Sequence, residues 1–399
     1  MTRPEIHPLT TSVGVDALAA AAAQADPDSL AAATALRSGF PPDLAAAALT
    51  QIGLRRAARS KLGGRADRML FTRAGLEQAS RAAVAAHHAA RFAAAGVHRV
   101  VDLGCGIGAD ALALLEAGLE VVAVEADPGT ASVAQANLGD RAEVLVGDAV
   151  ELAAGLLGPG VAAFADPARR TGRGRSWRVE DLSPPWSFVE RLLDGGRVAG
   201  VKLGPGLPHR VIPPGVEAEW VSERGDTVEV GLWSGPGARP DTRAALVLPD
   251  DRLVVDPTAA PLPAGPVGSV LYEPAGAVIR AGAIAQLGAA LDARLLHPDI
   301  AYLTADTVRP TPYATAFEVL EVHAYTEQDL RHWARDRGIG TLEIKKRGLD
   351  LDPAVLRKRL KLRGSASATI VLTRGSVGAL LLVVRRLRQG PGTAGAIVR

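Results

Sequence analysis

Cysteine is all but missing: Cys105 is the single one in 399 residues, which excludes an intramolecular disulfide framework and any multi-cysteine zinc site. Lysine is nearly as scarce, with only Lys61 and Lys202 in the first 344 residues. Arginine carries the remaining positive charge there, so these two lysines are worth following. No apolar run comes near the roughly 20 residues of a membrane span. Met1–Thr10 has no charged-then-apolar signal pattern, so a cytoplasmic chain without a membrane partner is expected. No Gly-Lys-Ser/Thr occurs anywhere, which removes the P-loop from consideration.

The residues that are present describe a folded chain with lopsided charge. Apolar residues make up 48% and charged ones 22%, which is enough for buried cores and argues against disorder. At roughly 150 residues per domain the length suggests two or three domains. The formal charge of +2 conceals an asymmetry: residues 1–240 hold 24 Lys/Arg against 27 Asp/Glu, whereas residues 330–399 hold 16 against 4. A surplus of that size in one terminal module favours an anionic partner, nucleic acid first.

Residues 1–95 are Ala-rich with helical spacing and form a helical N-terminal region. "FPPDLAAAALTQIGLRRAARSKL" starts a helix after its proline pair, and "TRAGLEQASRAAVAAHHAARFAAAG" predicts another from Thr72 to Gly96. His87 and His88 within it lie about 100° apart around the helix. They lack the i, i+4 spacing of a helical metal pair, so a packing or capping role is expected, and no metal. From Val97 the pattern changes to short β-branched runs separated by helices, "HRVVDLG", "LEVVAVEAD", "AEVLVGDA", "VAAFADP" and "RVAGVKLG". That alternation predicts an α/β fold with a doubly wound parallel sheet over residues 96–236. "EAEWVSE" and "TVEVGLWS", close together around "RGD", read as an antiparallel hairpin at its edge. "SGPGARPD", Ser234–Asp241, reads as a linker. Residues 237–312 form a strand-rich connecting segment. Residues 313–399 read strand, helix, strand, helix, strand, strand, a basic α+β module whose helices open at Thr326 and at Asp352-Pro353.

Between the first strand and its helix, "VVDLGCGIGAD" places Gly104, Gly106 and Gly108, which permit a tight turn and let a ligand approach the backbone. Glu125 ends the second strand, where a carboxylate can accept both hydroxyls of a ribose. Asp148 ends the third, where it can accept from an adenine amino group. Each acid alone is also a plain capping acid after a strand; their joint placement favours a nucleoside.

This motif order, with "ADPA" after the fourth strand, resembles that of the class I S-adenosylmethionine-dependent methyltransferases. The resemblance implies a Rossmann-like methyltransferase sheet that binds S-adenosylmethionine through Asp102, Gly104, Gly106, Glu125 and Asp148. A wider match, "GLEQAS…HHAARF", "DLGCGIGAD", "FADPARR", "VKLGPG", "YEPAGAVIRAGAI" and the basic tail, resembles the bacterial methyltransferases with a C-terminal THUMP-like domain. THUMP modules proper bind RNA, so that likeness implies an RNA substrate, with structured tRNA or rRNA expected, and does not name the nucleotide.

In such enzymes the fourth-strand loop sits beside the transferable methyl, which makes Asp166 the candidate contact to the acceptor. C5-pyrimidine methylation needs a cysteine nucleophile, and the only thiol lies inside the cofactor loop. Base N-methylation commonly follows Asp/Asn-Pro-Pro-aromatic, whose ring stacks on the base; here Ala168 and Arg169 stand in the last two positions. The third option is ribose 2′-O-methylation, whose enzymes resemble each other in a Lys-Asp-Lys-Glu tetrad; here Asp166, Lys202 in "GVKLGPG" and Glu229 in "TVEVGLW" would match it, with Lys61 as first lysine. A lysine of lowered pKa would then deprotonate the hydroxyl. The choice between base nitrogen and ribose oxygen stays open on the sequence.

Arg169, Arg170, Arg173 and Arg175 read as phosphate ligands, or as a solvated loop paired with Glu180 and Asp181. Trp177 and Trp186 could stack on a base or pack in the core. In the tail, Lys345, Lys346, Arg347, Arg357, Lys358, Arg359, Lys361 and Arg363 bracket a strand-loop-helix unit and could share a basic RNA surface. The expected function is an S-adenosylmethionine-dependent RNA methyltransferase. The competing readings are a non-catalytic RNA-binding protein of the same fold, or a methyltransferase of a small molecule or protein.

Overall fold

The computed structural model describes residues 2–169 and 179–387. Its Ala- and Leu-rich start folds as α1 (Ser12–Ala22), α2 (Leu30–Arg37), α3 (Pro42–Leu62), α4 (Arg73–Gln78) and α5 (Ala82–Ala94). Hydroxyls begin three of them: Thr11, Ser29 and Thr72 each accept from a backbone amide in the first turn. The single helix expected from Thr72 to Gly96 is two, because Ala79 turns extended (φ −53°, ψ 144°). Ser80 then buries its hydroxyl against Asp110 instead of continuing the helix.

The β/α region follows as β1 (Arg99–Leu103), α6 (Ala109–Glu116), β2 (Glu120–Glu125), α7 (Pro128–Leu138), β3 (Glu143–Val146), α8 (Ala149–Leu156) and β4 (Val161–Ala165). After it come the two-residue strands β5 (Ala168–Arg169) and β6 (Leu182–Ser183), then α9 (Trp186–Leu192), β7 (Ala199–Leu203), β8 (Glu217–Glu223) and β9 (Asp226–Ser234). The sheet runs β9-β7-β4-β1-β2-β3. All its neighbours are parallel except β7 and β9, which are antiparallel. Strand order reverses between β1 and β4, and in such sheets the crevice beyond that reversal is where ligands bind.

One apolar core joins the N-terminal helices to this sheet, from Leu9 and Ala48 through Phe92 to Phe164 and Trp233. Polar clamps reinforce it. Buried Gln51 makes two bonds to the backbone of Phe71 (2.9 and 2.7 Å), and Asn137 of α7 binds the backbone of Leu70 and of Ile107 in the glycine loop.

The chain divides into two compact units, Met1–Ala218 with Glu229–Thr242, and Glu219–Val228 with Arg243–Arg399. The division passes through the β8–β9 hairpin. The expectation that this hairpin forms the sheet edge is corrected: β8 takes β10 (Arg243–Val247) and then β11 (Asp251–Val254) on its other side.

In the second unit β12 (Val270–Pro274), α10 (Gly276–Ala281), α11 (Ile284–Leu291), β13 (Arg294–His297), β14 (Ile300–Ala305) and β15 (Ala314–Ala324) are followed by α12 (Glu327–Asp336), β16 (Ile339–Lys346), α13 (Pro353–Leu360), β17 (Ala366–Gly375) and β18 (Gly378–Arg386). Their sheet has the order β13-β14-β12-β15-β18-β17-β16. The segment read as a connection thus supplies three strands to the same sheet as the tail. Thr326 and Asp352 cap α12 and α13, which pack Leu330, Trp333, Leu356 and Leu360 against Leu342, Ile370 and Leu381.

Candidate active site

A cavity of about 580 Å³ opens at the C-terminal ends of β1 to β4. Asp102, Gly104, Gly106, Glu125 and Asp148 all line it, as do Asp166, Ala168 and Lys202. Gly104 and Gly106 hold φ of 95° and 57°, values that a side chain would strain. Glu125 ties the loop ends together, accepting from the Gly106 amide through Oε2 and from the Asp127 amide through Oε1, both at 3.0 Å. A carboxylate offers about four lone-pair sites, so two remain for ligand hydroxyls. Asp148 caps α8 through Oδ1; capping therefore leaves Oδ2 for a second acceptor role.

Asp102 is buried at the cavity wall, and its Oδ2 has no hydrogen bond among the described residues. Burial, then Asp110 and Asp166, push its carboxyl well above the usual range. A buried polar atom left open toward a cavity is costly unless a ligand meets it. With the glycine turn and the strand-end acids, it makes a wall suited to the polar groups of a nucleoside. Cys105 is buried beside it, and burial, followed by Asp102 and Glu125, pushes the thiol well up.

Asp166 and Lys202 meet directly, with Oδ2 and Nζ 2.5 Å apart and 32% of the aspartate side chain open. Burial opposes the charge of Lys202, but Asp166, Asp110 and Glu229 outweigh it and raise the pKa above the ordinary lysine value. The expected lysine of lowered pKa is therefore not Lys202. Burial also raises Asp166, and Lys202 only partly offsets this. Lys61 is the lowered one, brought to about 8 by burial, Lys202 and Arg81. Its Nζ donates to the carbonyls of Leu76 and Glu77 at the end of α4, both at 2.8 Å, and it does not line the cavity.

Glu229 is corrected from its expected place beside the acceptor. It is buried, does not line the cavity, and holds His88 Nε2 at 2.6 Å. The other ring nitrogen lies 2.8 Å from Asp110 Oδ1, and Asp110 Oδ2 accepts from Ser80, whose Oγ accepts from Lys202 at 3.1 Å. Burial lowers the His88 pKa, but Glu229 and Asp110 overcome it and bring the value to about 10. Sequence reasoning missed Ser80 and Asp110 and expected a packing or capping role for His88. Asp110 had a signal, since "GIGAD" sets an acid in the first turn of the helix that leaves the glycine loop. Ser80 and His88 had none, because their partners are remote in sequence.

The structure brings Asp166 and Lys202 to the same wall as the five cofactor candidates and leaves Glu229 and Lys61 off it. Arg169 lies in β5, paired through its backbone with Leu182. Arg170, Arg173, Arg175 and Trp177 lie outside the described residues. Trp186 donates to Glu190 at 3.0 Å and does not line the cavity. Among the described residues no group of three or more His, Cys, Asp or Glu is placed to hold a metal ion. No helix among them is long and apolar enough to cross a membrane.

In the second unit several expected RNA-binding cations serve their own fold. Lys345 pairs with Glu273 at 2.7 Å over the ring of Phe317, and Arg357 donates to the Leu342 carbonyl at 3.1 Å. Arg347 donates to the Ala301 carbonyl, and Lys346 to that of Leu349. Arg359 pairs with Glu327. Lys358, Lys361 and Arg363 are exposed.

A methyltransferase-domain family model matches residues 101–155, a THUMP domain-like model residues 314–386, and a domain of unknown function residues 2–58. Two uncharacterized S-adenosylmethionine-dependent methyltransferases of Mycobacterium tuberculosis, from strains CDC 1551 / Oshkosh and ATCC 25618 / H37Rv, are each 36% identical over 344 residues, covering 82% of this chain and 92% of theirs. A Porphyromonas gingivalis W83 protein described as a candidate methyltransferase has a crystal structure of the same fold, with TM-score 0.72 and 23% identity over 94% of this chain and 99% of that one. The chain accordingly belongs to the S-adenosylmethionine-dependent methyltransferases, is an enzyme of that class with S-adenosylmethionine as its cofactor, and carries a C-terminal THUMP-like domain.

Proposed function

We propose that this enzyme methylates RNA, at a base nitrogen rather than a ribose oxygen. The RNA half rests on the THUMP-like match over residues 314–386 and on the basic surplus of the tail. The nitrogen half rests on one observation, the 2.5 Å contact of Lys202 Nζ with Asp166 Oδ2 at the cavity wall, which favours the ammonium form of the lysine. S-adenosylmethionine, when bound, supplies an electrophilic methyl group on a sulfonium. A ribose hydroxyl must lose its proton to attack, and the lysine that would take it here is already protonated and paired. A base nitrogen attacks through its lone pair and sheds a proton afterwards, so it needs an acceptor for its N–H. Among the described residues Lys202 meets Asp166 through Oδ2, and Oδ1 would take that role. Asp102, Glu125 and Asp148 would hold the cofactor's polar groups, and Gly104 and Gly106 would let it approach the backbone. Exposed Lys358, Lys361 and Arg363 would meet phosphate.

Nucleoside mass spectrometry of RNA from wild-type and deletion cells tests the reading. A base-methylated nucleoside is expected to disappear; loss of a 2′-O-methyl nucleoside would overturn the nitrogen assignment, and no change in any RNA class would overturn the RNA assignment. Asp166→Asn is expected to lower kcat by roughly 100-fold or more, with cofactor affinity by calorimetry close to wild type.

A further inference from the structure

His88 of α5 is only 2% exposed, yet both its ring nitrogens face carboxylates, Nδ1 on Asp110 Oδ1 at 2.8 Å and Nε2 on Glu229 Oε1 at 2.6 Å. A neutral imidazole has one donor and one lone pair, so it would leave a lone pair aimed at one of these oxygens. Only the imidazolium donates to both. The rings of Phe164 from β4 and Trp233 from β9 lie 5.1 and 6.0 Å away, and that of His87 lies 6.3 Å away on the same helix. Arg91, one turn on, lies over Trp233 and bonds Glu217. Among the described residues the charged groups bonded to the His88 ring are Asp110 from α6 and Glu229 from β9.

We propose that His88 is a positioning residue: its fixed cation compensates Asp110 and Glu229, so that Lys202 rests on Asp166 instead of being drawn back to Asp110. The connection runs through Ser80, which accepts from Lys202 at 3.1 Å and donates to Asp110 at 2.7 Å. Two buried carboxylates without their own cation would be strongly unfavourable, and Lys202 is the cation already bridged to one of them. If it moved toward Asp110, Asp166 would lose its partner and its orientation at the cavity wall. The proposal rests on the reading of Asp166 as the carboxylate that meets the acceptor.

The test compares the full-length enzyme with His88→Gln and with His88→Gln/Asp110→Asn. Transfer of tritiated methyl from S-adenosylmethionine to total RNA from deletion cells gives kcat, calorimetry gives cofactor affinity, and melting gives stability. His88→Gln should lower kcat by roughly 10- to 100-fold with cofactor Kd changed by less than about threefold. Adding Asp110→Asn should recover much of that loss, because the carboxylate bridged to Lys202 through Ser80 is then neutral and Glu229 has no such bridge among the described residues. A further drop in the double variant, or kcat falling only in step with melting temperature, would overturn the proposal. If the wild-type enzyme labels no RNA, the RNA reading fails, and His88 is then judged by nitrogen-15 NMR, its ring signals identified by their loss in His88→Gln. Both nitrogens are expected to stay protonated from about pH 6 to 9; a lone pair on either at neutral pH would overturn the proposal.

Discussion

Asp102 is a buried carboxyl whose surroundings disfavour its charge. Its carboxyl lies at the cavity wall with Oδ2 unbonded among the described residues, and its pKa stands well above the ordinary 3.8. The native protein therefore holds this proton after the unfolded chain has lost it. Stability is fully present below about pH 4 and falls as pH rises toward the native pKa. Asp102→Asn should remove that slope. Its stability in urea should exceed wild type by a margin that widens above pH 4, on the order of 1 kcal/mol per pH unit, with weakened cofactor binding; parallel pH profiles would contradict this. That the five cofactor candidates would share one cavity wall was legible in the sequence, because they sit at or just after strand ends, where local pattern fixes position. The relay behind them was not. Ser80, His88 and Asp110 owe their roles to partners 22 to 141 residues away, and a histidine in an alanine-rich helix looks the same whether it packs or carries charge.

At the scale of elements, the break between α4 and α5 decides the site. Helix propensity favours continuity through "EQASRAA", so the sequence pattern predicts one helix; the buried bonds of Ser80 to Asp110 and Lys202 override it. The same break leaves α4 as a short wall of the cavity, to which Gly75 and Gln78 contribute. Lys61 holds the end of that wall through two carbonyls. The residue that looked like a member of a catalytic tetrad is thus a helix-end cation. Lys61→Met should weaken cofactor affinity by roughly 2- to 10-fold while leaving the acceptor's KM unchanged. Calorimetry and steady-state kinetics separate the two, and an unchanged cofactor Kd with a collapsed kcat would return Lys61 to the chemistry.

Across the whole molecule, the alternation of strands and helices made the parallel sheet legible, and capping residues placed the helices of the tail. The contribution of β12, β13 and β14 to the tail's sheet was not legible, since strand pairing across long separations leaves little mark on local pattern. The charge surplus was legible only as a sum. Lys345 and Arg357 are spent within the fold, whereas Lys358, Lys361 and Arg363 are exposed. Replacing those three with glutamine should reduce the slope of log affinity for RNA against log salt by roughly 2 to 3. Lys345→Gln should lower melting temperature and leave the slope alone; equal slopes for both variants would mean that this surface does not meet phosphate. The hairpin tip, Glu219–Val228, counts with the second unit although its sequence is enclosed by the first. Buried Glu219 there pairs with Arg252, and Ser222 receives the amide of Ala277. A gene fusion that cut after residue 242 would carry off a carboxylate without its arginine. Exchanging either unit intact by recombination would take three joints rather than one.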